Sequence, residues 1–242
     1  MKESIPSSAQ PPQAAQNPRI WLRVRGSFTW FSSRGFAWFG FAWFGFAWPG
    51  KVSFYLIEAM KPPIFTIGHS THSIEEFLQM LKAYDITRLV DIRTVPRSRH
   101  NPQFNREALP AALKRAHIRY SHLAGLGGLR HARKDSKNTG WHNASFRGFA
   151  DYMETSEFEK SLEQLIDLSK TDRVAVMCAE AVPWRCHRSL VADALAARRV
   201  PVEHIMSLTK SQPHKLTGFA LVRGNQVTYP GEPSQLTLAA ES

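Results

Sequence analysis

Arg173-Val174-Ala175-Val176-Met177-Cys178 is the run on which the fold turns. It is too short for a typical helix and lacks polar alternation, which is the pattern of a strand covered on both faces in a parallel sheet. Upstream, Ile64-Phe65-Thr66-Ile67 reads the same way and ends in Gly68-His69-Ser70. Ser73-Ile74-Glu75-Glu76 is then a capping box, opening a helix with Ile74, Phe77, Leu78 and Leu81 on one face. Residues 88–92 and 118–121 predict two more strands, separated by a basic loop (93–103) and a helix over 105–116. Helices are predicted over 146–154 and 156–169, the second opened by a capping box at Ser156, and over 187–198. Residues 202–206 read as a strand, and 219–222 with 226–229 as a hairpin turning at Gly224-Asn225. This alternation predicts a single α/β domain over 60–232, a mainly parallel sheet flanked by helices with a C-terminal hairpin, followed by a tail at 233–242.

Residues 1–59 differ in composition. Residues 4–18 are rich in Pro, Gln, Ala and Ser, and 35–49 carry Gly-Phe-Ala-Trp-Phe three times, with Pro49 replacing the last Phe. A period of five suits neither helix nor strand, so the segment is expected to be a disordered or irregular extension outside the fold, with Met60 as an alternative start. A membrane-surface role, with Arg19, Arg23, Arg25 and Arg34 against acidic headgroups, is the competing reading. The chain has no unbroken apolar run of 18 residues, and two cysteines make no disulfide framework, so a reducing, cytoplasmic setting is expected.

The net charge is +11, concentrated in 88–147, where thirteen Lys or Arg face only Asp91, Glu107 and Asp135. Such a balance favours an anionic partner, whether a nucleotide, a nucleic acid or another phosphorylated compound. In parallel sheets, ligands bind beyond the carboxyl ends of the strands. Those ends bring forward His69, Asp91 with Arg93, Tyr120, and Cys178 with Glu180. Strand alternation directs Cys178 and Glu180 to the same side. Cys186-His187-Arg188 follows at a helix start, where anions and thiolates are favoured.

Together, Thr66-Ile67-Gly68-His69-Ser70, Val90-Asp91-Ile92-Arg93 with Pro96-Arg97-Ser98, Leu126-Gly127-Gly128, and Cys178-Ala179-Glu180 with Cys186-His187-Arg188 closely resemble the DUF488 family, a domain of unknown function, from Ile64 to about Tyr229. The resemblance implies a small α/β domain and a shared set of polar residues, without a reaction or a cofactor.

The candidate catalytic residues are Cys178 as nucleophile or redox thiol and Glu180 with His69 as an acid and base pair. Arg93, Arg97, Asp91, Tyr120, His187 and Arg188 are the candidates for binding an anionic substrate, the arginines because guanidinium pairs bidentately with phosphate. The interval from Cys178 to Arg185 is one residue longer than the Cys-x5-Arg loop with which phosphatases and sulfurtransferases wrap an oxyanion. Two further readings stand beside the anion-binding enzyme. One is a non-catalytic nucleic-acid-binding module in which Phe104 and Tyr120 stack bases. The other is a metal or thiol redox protein using Cys178, Cys186, His187 and His69, although no Cys-x2-Cys or His-x3-His pair is present.

Overall fold

The computed structural model describes residues 62–231, so the expectations for 1–59 and for the 233–242 tail lie outside the described residues. Strands β1 (Ile64–Gly68), β2 (Arg88–Asp91), β3 (Arg119–His122), β4 (Val174–Cys178), β5 (Val202–Ile205) and β6 (Ser211–Pro213) form one sheet in the order β3-β2-β4-β1-β5-β6. The first five are parallel, and β6 runs antiparallel along β5. The 173–178 run is central as its composition requires. β4 lies between β1 and β2, pairing Gly68 with Cys178 and Asp91 with Met177.

The period of two in β4 divides the core. Val174, Val176 and Cys178 pack in one layer with residues of α3 (Ala144–Tyr152), α4 (Ser156–Ser169) and α5 (Arg188–Ala197). Ala175 and Met177 face the other layer with α1 (Ile74–Ala83) and α2 (Leu109–Arg115), against Phe77, Leu81, Leu109 and Leu113. The two layers meet water on opposite sides of the sheet. The expected α/β architecture is therefore present, with the C-terminal hairpin as β7 (Leu221–Arg223) and β8 (Gln226–Thr228), a separate two-stranded sheet. It turns through Gly224 at φ +59, a conformation that glycine adopts without steric cost.

Two local expectations are corrected. Ser73 caps α1 as predicted, accepting from the Glu76 amide at 3.1 Å. In α4 the cap is Thr155, not Ser156; its hydroxyl accepts from the Phe158 amide at 3.3 Å, because the backbone is still extended at Thr155 and helical from Ser156. The helix predicted from residue 105 begins at Leu109, since Asn105 closes turns instead, its carbonyl accepting from the Ala108 and Leu109 amides. The short strand β6 was not anticipated.

The C-terminal segment is moored by a buried polar network. Asp193 of α5 accepts from His214 Nε2 (2.8 Å), Thr217 Oγ1 (2.6 Å) and Tyr229 Oη (2.8 Å). His214 Nδ1 lies 3.0 Å from His204 Nε2, and His204 Nδ1 lies 2.7 Å from Thr66 Oγ1. A fully buried carboxylate is tolerated because these donors replace water. Among the described residues, no helix is long and apolar enough to cross a membrane.

Candidate functional site

β1 and β2 lead into helices on one face of the sheet, while β4, between them, leads into α5 on the other. Chains that part in this way leave a crevice beyond the carboxyl ends of their strands. A cleft of about 370 Å³ occupies that position. It is lined by His69 after β1, Arg93 to Val95 with Arg97 and Ser98 after β2, Gly128 and Leu129 from the connection between β3 and α3, Ser145 and Phe146 in the first turn of α3, and the segments 178–180 and 185–187.

The chemistry centres on Cys178, 1% exposed at the end of β4. Arg188 Nη1 lies 2.6 Å from its Sγ, and Cys186 Sγ lies 2.8 Å from it; both cysteines are free thiols. Burial pushes the Cys178 thiol up. The hydrogen bond from Cys186 and the charge and hydrogen bond of Arg188 outweigh it and bring Cys178 down to about 7. Cys186 moves the opposite way, held well above the ordinary thiol range by its hydrogen bond to Cys178 and by burial. When Cys178 is the ionised partner, Cys186 S–H is the donor between them.

Arg188 is itself only 1% exposed and lies behind the sulfur. Its Nη1 also donates to the Glu180 carbonyl at 2.5 Å and its Nη2 to the Ala181 carbonyl at 2.8 Å. This approach depends on Gly68, where an added Cβ would fall 1.8 Å from the Glu180 oxygen. Glycine is required there by contact with another backbone segment. The arginine that touches Cys178 is thus Arg188, three residues beyond the Arg185 suggested by spacing; Arg185 is an exposed residue lining the cleft.

The second cluster is built on Asp91, which is fully buried. It accepts from Arg93 Nε (2.9 Å) and Nη2 (2.7 Å), the Arg93 amide (3.0 Å) and Tyr120 Oη (3.0 Å). Arg93 Nη2 donates further to the Phe104 carbonyl at 2.7 Å. Most of the guanidinium's donors are satisfied inside the protein, and one edge, Nη1, reaches His69 Nε2 at 3.3 Å. His69 Nδ1 donates to the Ser70 carbonyl at 3.0 Å, which leaves Nε2 as the acceptor for Arg93. Burial lowers His69 to about 4, so the imidazole is neutral, and its ring stacks on Phe104 at 4.4 Å. His187 is likewise lowered to about 4, chiefly by burial, and packs edge-on against Phe149.

Of the residues named from sequence, Cys178, Glu180, His69, Arg93, Arg97 and His187 line the cleft. Asp91, Tyr120 and Arg188 do not; they hold the residues that do. The side chain of Glu180 makes no hydrogen bond among the described residues, and its backbone carbonyl is what reaches Arg188. Phe104, fully buried between His69 and Phe77, has no face free to stack a base. Sequence reasoning left Arg185 outside the binding set, and joined Cys186 to Cys178 only in the metal or thiol redox reading. Among the described residues, no group of three or more His, Cys, Asp and Glu is arranged to hold a metal ion.

The family model "Domain of unknown function DUF488" matches residues 73–195, a span that runs from the cap of α1 through Cys178, Cys186 and Arg188. The chain belongs to the DUF488 family. No curated protein and no solved structure matches it. Within this DUF488 domain the matched span covers β2 to β4 and most of α5, while His69 on the β1 side lies just before it.

Proposed function

We propose that this DUF488 domain binds a small anionic substrate in the cleft and acts on it through the Cys178 thiolate, with nucleotides and other phosphorylated compounds as the substrate class. The observation that carries the reading is the contact between Cys178 Sγ and Arg188 Nη1, 2.6 Å, in a cleft also lined by exposed Arg97 and Arg185. A thiolate rather than a thiol is the nucleophile, and a fixed guanidinium is what keeps it ionised near neutrality. Arg97 and Arg185 attract the anion. Arg93, tied to Asp91, offers only the edge beside His69, so it orients rather than clamps.

The roles divide accordingly. Cys178 attacks; Arg188 stabilises the attacking charge; neutral His69 accepts a hydrogen bond from Arg93 and bounds the cleft. Asp91 and Tyr120 are positioning residues that act through Arg93. The exposed Glu180 carboxylate is available for proton transfer at the rim, where it remains in water.

Alkylation of the intact chain tests the anion reading. Iodoacetate carries a charge that iodoacetamide lacks, and attraction of about 1 kcal/mol, as for two unit charges about 4 Å apart in water, corresponds to roughly fivefold in rate. The rate ratio of iodoacetate to iodoacetamide at Cys178 is expected to exceed that for a free low-molecular-weight thiol by about this factor. Inorganic phosphate should reduce the excess, and so should added salt. A ratio equal to that of the free thiol, indifferent to phosphate, would rule the anion cleft out.

A further inference from the structure

We propose that Cys178 and Cys186 form a dithiol couple that reduces small anionic disulfides, with Cys178 as the attacking sulfur and Cys186 as the resolving one. The proposal rests on the Cys178 thiolate of the preceding reading and adds a second sulfur to it. Nothing in thiolate catalysis on a phosphorylated substrate requires Cys186. Yet its sulfur lies 2.8 Å from Cys178 Sγ, both residues line the cleft, and both are free thiols. A disulfide would need the sulfurs to close to about 2.05 Å, a movement of less than about 1 Å within a loop eight residues long.

The steps balance. The Cys178 thiolate attacks one sulfur of a disulfide RS–SR, forming a Cys178–SR mixed disulfide and releasing RS⁻. Cys186 then gives up its proton, which RS⁻ takes, and its sulfur attacks Cys178 Sγ, expelling the second RS⁻. The protein is oxidised to the Cys178–Cys186 disulfide, and the substrate is reduced to two thiols. Two equivalents of a monothiol reverse the sequence.

The surroundings order these steps. Before attack, Cys186 is kept protonated by its hydrogen bond to the Cys178 thiolate and by burial. Once Cys178 is in a mixed disulfide its negative charge is gone, while Arg188, which favours ionisation of Cys186, stays in place. The resolving thiol is thereby released for ionisation only after the first step. Neutral His187 stands beside it, Nδ1 3.6 Å from Cys186 Sγ. Exposed Arg97 and Arg185 suit a disulfide that carries carboxylates, and exposed Val95 and Leu129 give its apolar portion a surface beside them.

Oxidised glutathione is the probe, applied to the reduced full chain with thiol counting and intact mass as readouts. Wild-type protein is expected to lose both thiols and two hydrogens while retaining no glutathione. Cys186→Ser should instead accumulate one glutathione on Cys178. Cys178→Ser, with one sulfur left, should form at most a mixed disulfide with glutathione and should never lose two hydrogens. A wild-type protein that keeps a stable glutathione adduct with Cys186 still free, or one that loses its thiols only by linking two chains, would overturn the couple. The iodoacetate to iodoacetamide ratio on the same reduced preparation separates the two ideas. A high ratio with a persistent adduct removes the dithiol couple alone, and a ratio like that of a free thiol with a closed disulfide removes the anion cleft alone.

Discussion

Replacing Arg188 by methionine is expected to raise the midpoint of Cys178 alkylation from about pH 7 toward the ordinary thiol value of about 8.5. Methionine fills similar space but offers neither charge nor donor, so both effects of Arg188 that lower the thiol are lost, the hydrogen bond from Cys186 remains, and burial, which raises a thiol, is less opposed. The thiolate fraction at pH 7 falls below about half. Intrinsic nucleophilicity rises with pKa along a Brønsted slope of about 0.4–0.5, which returns part of that loss. The rate at pH 7 therefore drops only a few-fold, and the midpoint is the decisive readout. The two carbonyls that lose Arg188 belong to Glu180 and Ala181, which lie in a loop outside the strands and helices. Arg188→Lys keeps a charge but cannot span Cys178 and both carbonyls, and should fall between wild type and methionine.

The second large effect is on stability. Asp91→Asn should lower the free energy of unfolding by about 3–5 kcal/mol, measured by urea denaturation, the usual cost of removing one partner of a buried ion pair. Arg93 is 7% exposed and Asp91 fully buried, so the guanidinium would be left charged without a counterion, and Tyr120 without its ionised acceptor. Combining it with Arg93→Met removes the orphaned charge and should restore more than half of the loss. If the single variant cost less than about 1 kcal/mol, the pair would resemble a surface salt bridge and Arg93 would be free to clamp a substrate.

These two residues mark how far the sequence could be read. The central strand was legible because five consecutive apolar residues require cover on both faces, and the α1 cap because Ser73 and Glu76 have the right spacing. Order and alternation then placed His69, Arg93 and Cys178 at one end of the sheet. What periodicity could not convey was direction around the sulfur. Arg188 and Asp91 are polar residues at strand and helix ends, which from sequence alone suggested contact with a ligand. They are instead buried, because Gly68 lets the Glu180 carbonyl close over Arg188 and because Asp91 collects four donors from its own neighbourhood. Contact between Cys178 and Cys186 depends on a loop with a single turn at Pro183–Arg185, whose path no pattern of residues reports. The edge strand β6 escaped notice for a simpler reason. Ser211–Pro213 has no apolar run, and its proline is tolerated only at a sheet edge.

The most direct measurement is the pH profile of alkylation by neutral iodoacetamide in the wild-type chain, with modification at Cys178 and at Cys186 quantified separately by peptide mass spectrometry. Cys178 is expected to reach half of its maximal rate near pH 7, while at low conversion Cys186 remains unmodified through the same range in chains whose Cys178 is still free. Two cysteines that titrate together at or above about pH 8.5 would contradict an arginine-held thiolate at the base of the cleft.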